Sequence, residues 1–202
     1  LSILARCPEA TIADIADTLY VRRTLIRMLG MRRTLFVTPR AFAPTVHHAA
    51  SLDVAAMLRR RLLSQLGTLP TDPPLDGDLD AWLADVERSV VRALADRGSA
   101  TAATLSQDEP RLRTAILPTT DKAYDVRRNI TSQVLTLLGA GGQIIRARPR
   151  GEWNSRHHTW EPAPAWLAGP MPGDAARARG GLVRGGLARV GRARRRAGAV
   201  GL

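Results

Sequence analysis

The residues best suited to chemistry in this chain are small polar and basic side chains that recur at helical spacing between residues 126 and 138. One side of a helix drawn through this segment is apolar, with Ile130, Val134, Leu137 and Leu138. The opposite side can contact base edges through Arg and Asn and phosphates through Ser and Thr. The spacing therefore predicts DNA contacts from Arg127, Arg128, Asn129, Ser132 and Thr136, with an ordinary solvated helix face as the alternative.

A β-hairpin is predicted directly after this helix. Residues 143–148 are β-like, residues 149–151 and 154–155 carry turn signals, and residues 157–160 form the returning strand. The hairpin is rich in arginines that can follow a phosphate backbone, and Trp153 at its tip can stack on a base or cap the core. We expect further DNA contacts from Arg146, Arg148, Arg150, Trp153 and Arg156.

Other chemistries find little support in the sequence. The pairs His47-His48 and His157-His158 are adjacent in sequence, and neighbouring side chains diverge, so neither pair predicts a metal site. No phosphate loop, dinucleotide-binding glycine pattern or nucleophile elbow is found. Four carboxylates can serve as a general base in principle, but solvent-facing helix charge is the simpler interpretation: Asp14, Asp17, Asp85 and Glu87. We predict no cofactor, no metal and no catalytic residue within the chain.

The net charge of +12 favours a polyanionic partner, because arginines on phosphates release condensed counterions. The charge is concentrated at the C-terminus, where residues 171–202 contain eight arginines and one aspartate. Cys7 is the sole cysteine, which excludes an internal disulfide. No apolar run has membrane-spanning length. We expect a cytoplasmic, nucleoid-associated protein whose partner is double-stranded DNA, without a membrane.

The spacing of apolar residues predicts a mostly helical α+β fold made of tandem winged-helix modules. Residues 1–67 are predicted to form a partial first winged helix plus connecting helices, with helices over residues 11–20, 21–29, 41–50 and 52–66 and a strand over 33–38. Residues 68–80, rich in proline and aspartate, are the predicted linker. Residues 81–172 read as a second winged helix, with a long helix, a short helix, the 126–138 helix and the hairpin. Residues 173–202 are an Arg/Gly/Ala tail expected to be poorly ordered.

Residues 25–39, with the sequence Leu-Ile-Arg-Met-Leu-Gly-Met-Arg-Arg-Thr-Leu-Phe-Val-Thr-Pro, resemble a segment of the winged-helix proteins that include the AlkZ-like and YcaQ-like DNA glycosylases. Residues 82–97, 132–138, 148–153 and 160–169 extend this resemblance. The resemblance implies tandem winged helices that curve around duplex DNA, and metal-free excision of alkylated or crosslinked bases. It also implies a Gln-x-Gln pair that positions the attacking water. This chain has no matching pair, so we expect the catalytic segment to lie upstream of Leu1 and a third winged helix to be missing.

The leading functional prediction is double-stranded DNA binding. One alternative is a fragment or degenerate copy of a monofunctional DNA glycosylase. Another is a non-enzymatic transcriptional regulator or protein-interaction module. The resemblance to the family is expected to stop near Gly173. For the tail that follows, the alternatives are out-of-frame translation of GC-rich DNA and a basic arm that binds nucleic acid.

Overall fold

A computed structural model describes residues 7–120, 122–123, 125–151, 155 and 157–167. The described chain is mostly helical and carries three small antiparallel sheets, which confirms the predicted α+β class. The tail over residues 173–202 lies outside the described residues, as do Trp153 and Arg156. Within the described part, no helix is long and apolar enough to cross a membrane.

Helix α1 (Ile12–Tyr20) is the first element of the described part, and Thr11 is its N-cap residue. The Thr11 hydroxyl accepts a 3.1 Å hydrogen bond from the Asp14 amide, and the Asp14 carboxylate accepts one of 2.9 Å from the Thr11 amide. This reciprocal pair satisfies amides that have no partner within the helix. The helix predicted over residues 11–20 is confirmed, with Thr11 as its cap.

The predicted helix over residues 21–29 is wrong, because this segment forms strand β1 (Leu25–Leu29). β1 pairs antiparallel with β2 (Leu35–Pro39), which confirms the strand predicted next. Burial alternates along β1, with Ile26 and Met28 inside and their neighbours partly exposed. A run of five apolar or long side chains fits a helix and a strand equally well until its partner is known. Between α1 and β1, Arg23 has a φ of 52°, so the helix cannot continue into the strand.

A nearly continuous helical run follows, with helix α2 (Ala43–Val46), a π-helical turn (His47–Ser51) and helix α3 (Leu52–Thr68). It confirms the helices predicted over residues 41–50 and 52–66. Strand β3 (Thr71–Asp72) lies in the predicted linker and pairs with β5 (Ala115–Ile116). Leu62 and Leu66 of α3 are buried in the same core as the later helices. The boundaries at residues 68–80 and 173 stay predictions.

The later elements follow the predicted order. Helix α4 (Leu79–Arg97) begins at Asp78, whose side chain accepts from two backbone amides, and strand β4 (Ala100–Thr101) leads into helix α5 (Ala102–Asp108). Strand β6 (Arg128–Asn129) and helix α6 (Thr131–Ala140) come next. Strands β7 (Ile144–Pro149) and β8 (His158–Pro162) form the hairpin, and the described chain ends in helix α7 (Pro164–Leu167).

The helix predicted over residues 126–138 starts too early. Arg128 and Asn129 belong to β6 and pair with Ile116 and Ala115 of β5, so neither lies on α6. The Ile130 amide donates to the Thr114 carbonyl oxygen at 3.1 Å, and the Ile130 side chain is fully buried. These contacts keep the chain extended up to residue 130. Helix α6 begins directly after it, and the residues predicted for its apolar side are buried.

Two buried clusters hold the elements together. The larger one joins α3, α4, α5 and α6 around residues such as Leu83, Leu94 and Leu138. The smaller one packs Ile26 and Met28 of β1 against Ile145 and Ala147 of β7 and against Trp166. The β1–β2 hairpin is therefore attached to the β7–β8 hairpin. Strand β8 lies between β4 and β7 in one sheet.

Candidate nucleic-acid interface

Helix α6 turns its apolar side into the core and its polar side to the surface. Val134, Leu135 and Leu138 are buried, whereas Ser132 is exposed and Thr136 partly exposed. Three surface hollows, of about 280, 510 and 460 Å³, meet at this polar side, and Thr136 lines all three. We call the combined depression the α6 groove.

The α6 groove is lined by arginines that are far apart in the sequence. Arg33, Arg61 and Arg128 lie on one flank, with Gln65 and Gln133 beside them. Arg146 and Arg150 lie on the other flank with His157 and His158. No aspartate or glutamate lines any of the three hollows in the described chain. The lining of the groove therefore carries positive charge and no carboxylate.

Ion pairs elsewhere neutralise many of the remaining arginines. Arg59 pairs with Glu87 and Asp80, and Arg97 holds Asp108 through two hydrogen bonds. Arg111 contacts Glu109 and Asp85 at 2.8 Å each. By contrast, Arg128 is the groove arginine that a carboxylate approaches, with Asp125 at 4.0 Å. Among the residues that the structure describes, no carboxylate lies within 4.0 Å of the other groove arginines named above or of their neighbour on β7: Arg33, Arg61, Arg146, Arg148 and Arg150.

The sequence-predicted contact residues divide into three groups. The α6 groove contains Ser132, Thr136, Arg146 and Arg150, and Arg128 borders it with a loose 4.0 Å contact to Asp125. Arg127 is outside the groove and pairs with Asp72 at 2.6 Å, and Asn129 is exposed on β6 without lining a hollow. Arg148 is exposed with its guanidinium 6.0 Å from the Tyr20 ring. Trp153 and Arg156 lie outside the described residues.

Arg146 is the most closely held cation of the groove. Its guanidinium carbon lies 5.2 Å from the centre of the Trp160 ring, an arrangement in which ring and cation attract each other. Burial lowers the pKa of Arg146 from its usual value. Arg27 from β1 donates to the carbonyl oxygens of Arg146 and Ala147 at 3.3 and 2.8 Å. The backbone that carries Arg146 is thus fixed by the N-terminal hairpin.

His158 contributes no positive charge to the groove at neutral pH. Burial lowers the pKa of its imidazole to about 4, with further lowering by the charges of Arg146 and Arg27 and by His157. Its Nδ1 is buried and has no hydrogen-bond partner in the described structure. The arginines of this flank keep their charge above the usual titration range of histidine.

Two groove residues, Arg33 and Arg61, were not predicted from the sequence. Arg61 belongs to the Arg59-Arg60-Arg61 triplet in the middle of α3. The structure splits the triplet, since Arg59 is ion-paired, Arg60 is exposed outside the hollows and Arg61 lines one. The spacing of Leu58, Arg61 and Gln65 places them on one helix side, which would have identified Arg61 had the packing of α3 on α6 been known.

The four carboxylates considered as general bases are all held in local contacts. Asp14 completes the α1 cap, and Asp17 pairs with Arg22. Hydrogen bonds from Arg111 and Arg88 lower the pKa of Asp85, whereas burial raises that of Glu87 despite its pair with Arg59. None of the four lines the α6 groove. Among the described residues, no cluster of three or more His, Cys, Asp or Glu can hold a metal ion.

The fold and groove define a mostly helical α+β protein with an arginine-lined surface depression. The model of the AlkZ-like DNA glycosylase family matches residues 1–200, and the chain belongs to that family. No curated protein and no solved structure matches the chain. The family match also covers most of residues 173–202, beyond the Gly173 at which the resemblance was expected to stop. The match therefore extends into the segment for which out-of-frame translation and a basic arm were the alternatives.

Proposed function

We propose that the chain binds double-stranded DNA across the α6 groove, with α6 facing the bases and the β7–β8 hairpin along the backbone. The observation that carries the proposal is the arginine lining of the groove, which contains no carboxylate. Membership of a DNA glycosylase family supports DNA as the polyanion. Phosphates attract such a surface because each arginine contact releases bound counterions.

The order of elements supports a winged-helix arrangement for this half of the chain. Elements α4, β4, α5, α6, β7 and β8 follow one another, and β4 pairs with β8 beside β7. In helix-turn-helix proteins the last helix enters the major groove, and in this chain that helix is α6. Ser132 and Thr136 then face the DNA, although the Thr136 hydroxyl also donates to the Ser132 carbonyl oxygen at 2.6 Å.

The proposal is tested by the salt dependence of duplex-DNA binding by the full chain. Arg148→Ala with Arg150→Ala removes two exposed cations of the hairpin. We expect binding to weaken roughly tenfold or more at 0.15 M salt, and the slope of log K against log salt to flatten by roughly 2. The matched control is Arg60→Ala with Arg92→Ala, which removes two exposed cations that line none of the three hollows.

Equal losses in both double variants would assign binding to overall charge, including the arginine-rich C-terminus, and would overturn the groove as the site. The comparison keeps the C-terminal segment constant, so its contribution cancels between variants. Absence of any duplex binding by the unaltered chain would overturn DNA binding altogether.

A second candidate function is excision of a damaged base, favoured by the family to which the chain belongs. We assign no catalytic residue to it, because no Gln-x-Gln pair occurs in the chain. Incubation of the full chain with duplexes that carry an alkylated purine, followed by cleavage at abasic sites, tests this function. Excision above that on undamaged duplex would identify an enzyme, and a rate equal to that of DNA alone would contradict it.

A further inference from the structure

The turn of the β1–β2 hairpin has an unusual backbone for its sequence. Arg32 and Arg33 have φ angles of 56° and 59°, and the Thr34 amide donates to the Met31 carbonyl oxygen at 3.1 Å. These features are those of a type I′ turn, in which both central residues are left-handed. The Gly30 amide closes the hairpin end by donating to the Thr34 carbonyl oxygen at 2.9 Å.

Arginine is an unfavourable residue at both central positions of this turn. Asn-Gly is the preferred pair there, because glycine has no Cβ to clash and asparagine tolerates the left-handed region. Two consecutive long side chains in this conformation are strained, and strained backbone persists where the surrounding structure holds it in place. Their presence at the tip indicates that the side chains have a use other than folding.

The tip is directed along the α6 groove. Arg33 lines two of the three hollows that meet at Thr136, and Arg32 is exposed beside it. Asp53 shares a shallow depression with both arginines, but no carboxylate oxygen of the described chain lies within 4.0 Å of either guanidinium. Met31 beside them is 67% exposed.

The hairpin that carries the tip is anchored to the opposite flank of the groove. Arg27 donates to two carbonyl oxygens of β7, and Arg23 pairs with Glu161 of β8 at 3.0 Å while it lies over the Trp166 ring. Ser51 donates to the Leu29 carbonyl oxygen at the last residue of β1. The two hairpins are therefore held at a fixed relative position, which is what two contact points on one rigid ligand require.

We propose that Arg32 and Arg33 form a second clamp, which grips the phosphate backbone of the same duplex that occupies the α6 groove. The clamp rests on the proposed function, since it needs the duplex to lie against α6. It extends the contact from the β7–β8 hairpin across α6 to the β1–β2 tip. The two unpaired guanidinium groups supply the phosphate contacts, and the strained turn keeps them at the surface.

The decisive variant is Arg32→Asn with Arg33→Gly, which gives the turn its preferred residues and removes both cations. Because the strain is relieved, we expect Tm to rise by about 2–4 °C. Duplex binding by the full chain should nevertheless weaken roughly tenfold, and the salt slope should flatten by roughly 2. Arg32→Lys with Arg33→Lys keeps the charge and should keep the salt slope. Arg60→Ala with Arg92→Ala is the matched control for the loss of two charges.

Unchanged affinity and salt slope in the Asn-Gly variant would overturn the clamp, and so would an equal loss in the Arg60/Arg92 control. If Arg148→Ala with Arg150→Ala still weakens binding in that case, the proposed function stands without the clamp. Should the Asn-Gly variant fold poorly, a Lys-Lys variant with unaltered Tm and a flattened salt slope would also contradict a phosphate clamp. Absence of duplex binding by the unaltered chain would overturn both proposals together.

Discussion

The α6 groove and the surface around α4 use the same residue type for opposite purposes. Around α4, Arg59, Arg97 and Arg111 each hold one or two carboxylates and connect neighbouring elements. In the α6 groove, arginines from β1–β2, α3 and β7 converge without a carboxylate partner in the described chain. The first arrangement consumes positive charge for structure, and the second leaves it available to a ligand.

This difference shows why net charge alone locates nothing. The formal charge of +12 counts a paired and an unpaired arginine equally, although only the unpaired one attracts a polyanion strongly at close range. Carboxylates are distributed so that the α4 surface is neutralised locally and the α6 groove is not. Mutations that separate stability from DNA affinity therefore test whether the two regions differ in this way.

The largest effect is expected from Arg59→Ala on the α4 surface. Glu87 is largely buried against Arg59, and removal of the cation leaves its carboxylate without a charged partner. We expect the free energy of unfolding to fall by about 2 kcal/mol, with duplex-DNA affinity unchanged. Urea denaturation of the variant and of Arg60→Ala provides the measurement. The exposed Arg60 should change stability by less than about 0.5 kcal/mol.

A loss of DNA affinity in Arg59→Ala, measured under conditions in which the variant is folded, would mean that the paired arginines also contribute to DNA binding. The proposed separation between the two regions would then fail. An unfolding free energy equal to that of Arg60→Ala would instead show that the Arg59–Glu87 pair contributes no more than exposed charge.

A somewhat smaller effect, confined to binding, is expected from Thr136→Glu in the α6 groove. Thr136 lines all three hollows, so a carboxylate there brings repulsion to the centre of the surface that phosphates approach. We expect duplex affinity to fall roughly tenfold, which corresponds to about 1.4 kcal/mol. Thr136→Gln is the control of similar size without charge. If Gln and Glu weaken binding equally, shape and not charge governs the groove.

The accuracy of sequence-based prediction also differs between two regions. From Asp78 onward, caps, glycine stops and long amphipathic helices coincide, and α4, α5 and the β7–β8 hairpin were all predicted. Between residues 21 and 39, a short apolar run had to be assigned without knowledge of its partner strand. Leu25–Leu29 became a strand because Leu35–Pro39 pairs with it and because Ile26 and Met28 fit against β7.

The candidate site shows the same limit. Residues Ser132, Thr136, Arg146 and Arg150 were identified because they lie on one predicted helix or hairpin. Arg33 and Arg61 join them only through packing of the β1–β2 hairpin and α3 on α6, contacts that span about a hundred residues of sequence. Arg127 lies outside the groove because it pairs with Asp72, a carboxylate on an element from the predicted linker. Local spacing predicts a face, whereas long-range packing decides which charges remain unpaired.

The smallest effect concerns the pH dependence of stability at His158, beside the groove arginines. Its pKa is lowered to about 4 from the usual 6.5 by burial, Arg146 and Arg27, with His157 adding a little. Between these two values the unfolded chain binds the proton and the folded chain does not, so this histidine destabilises the fold as the pH falls from 6.5 towards 4. His158→Gln removes that contribution, and thermal denaturation from pH 7 to 4.5 should show a shallower loss of Tm than in the unaltered chain.

Carboxylates that are paired in the folded state add their own acid sensitivity in every variant, so the slope difference between variants is the quantity that reports on His158. Parallel slopes for His158→Gln and the unaltered chain would show that the imidazole titrates normally in the fold. The arginine flank would then be more hydrated than its packing against Trp160 indicates, and Arg146 would have to be regarded as a surface cation like Arg150.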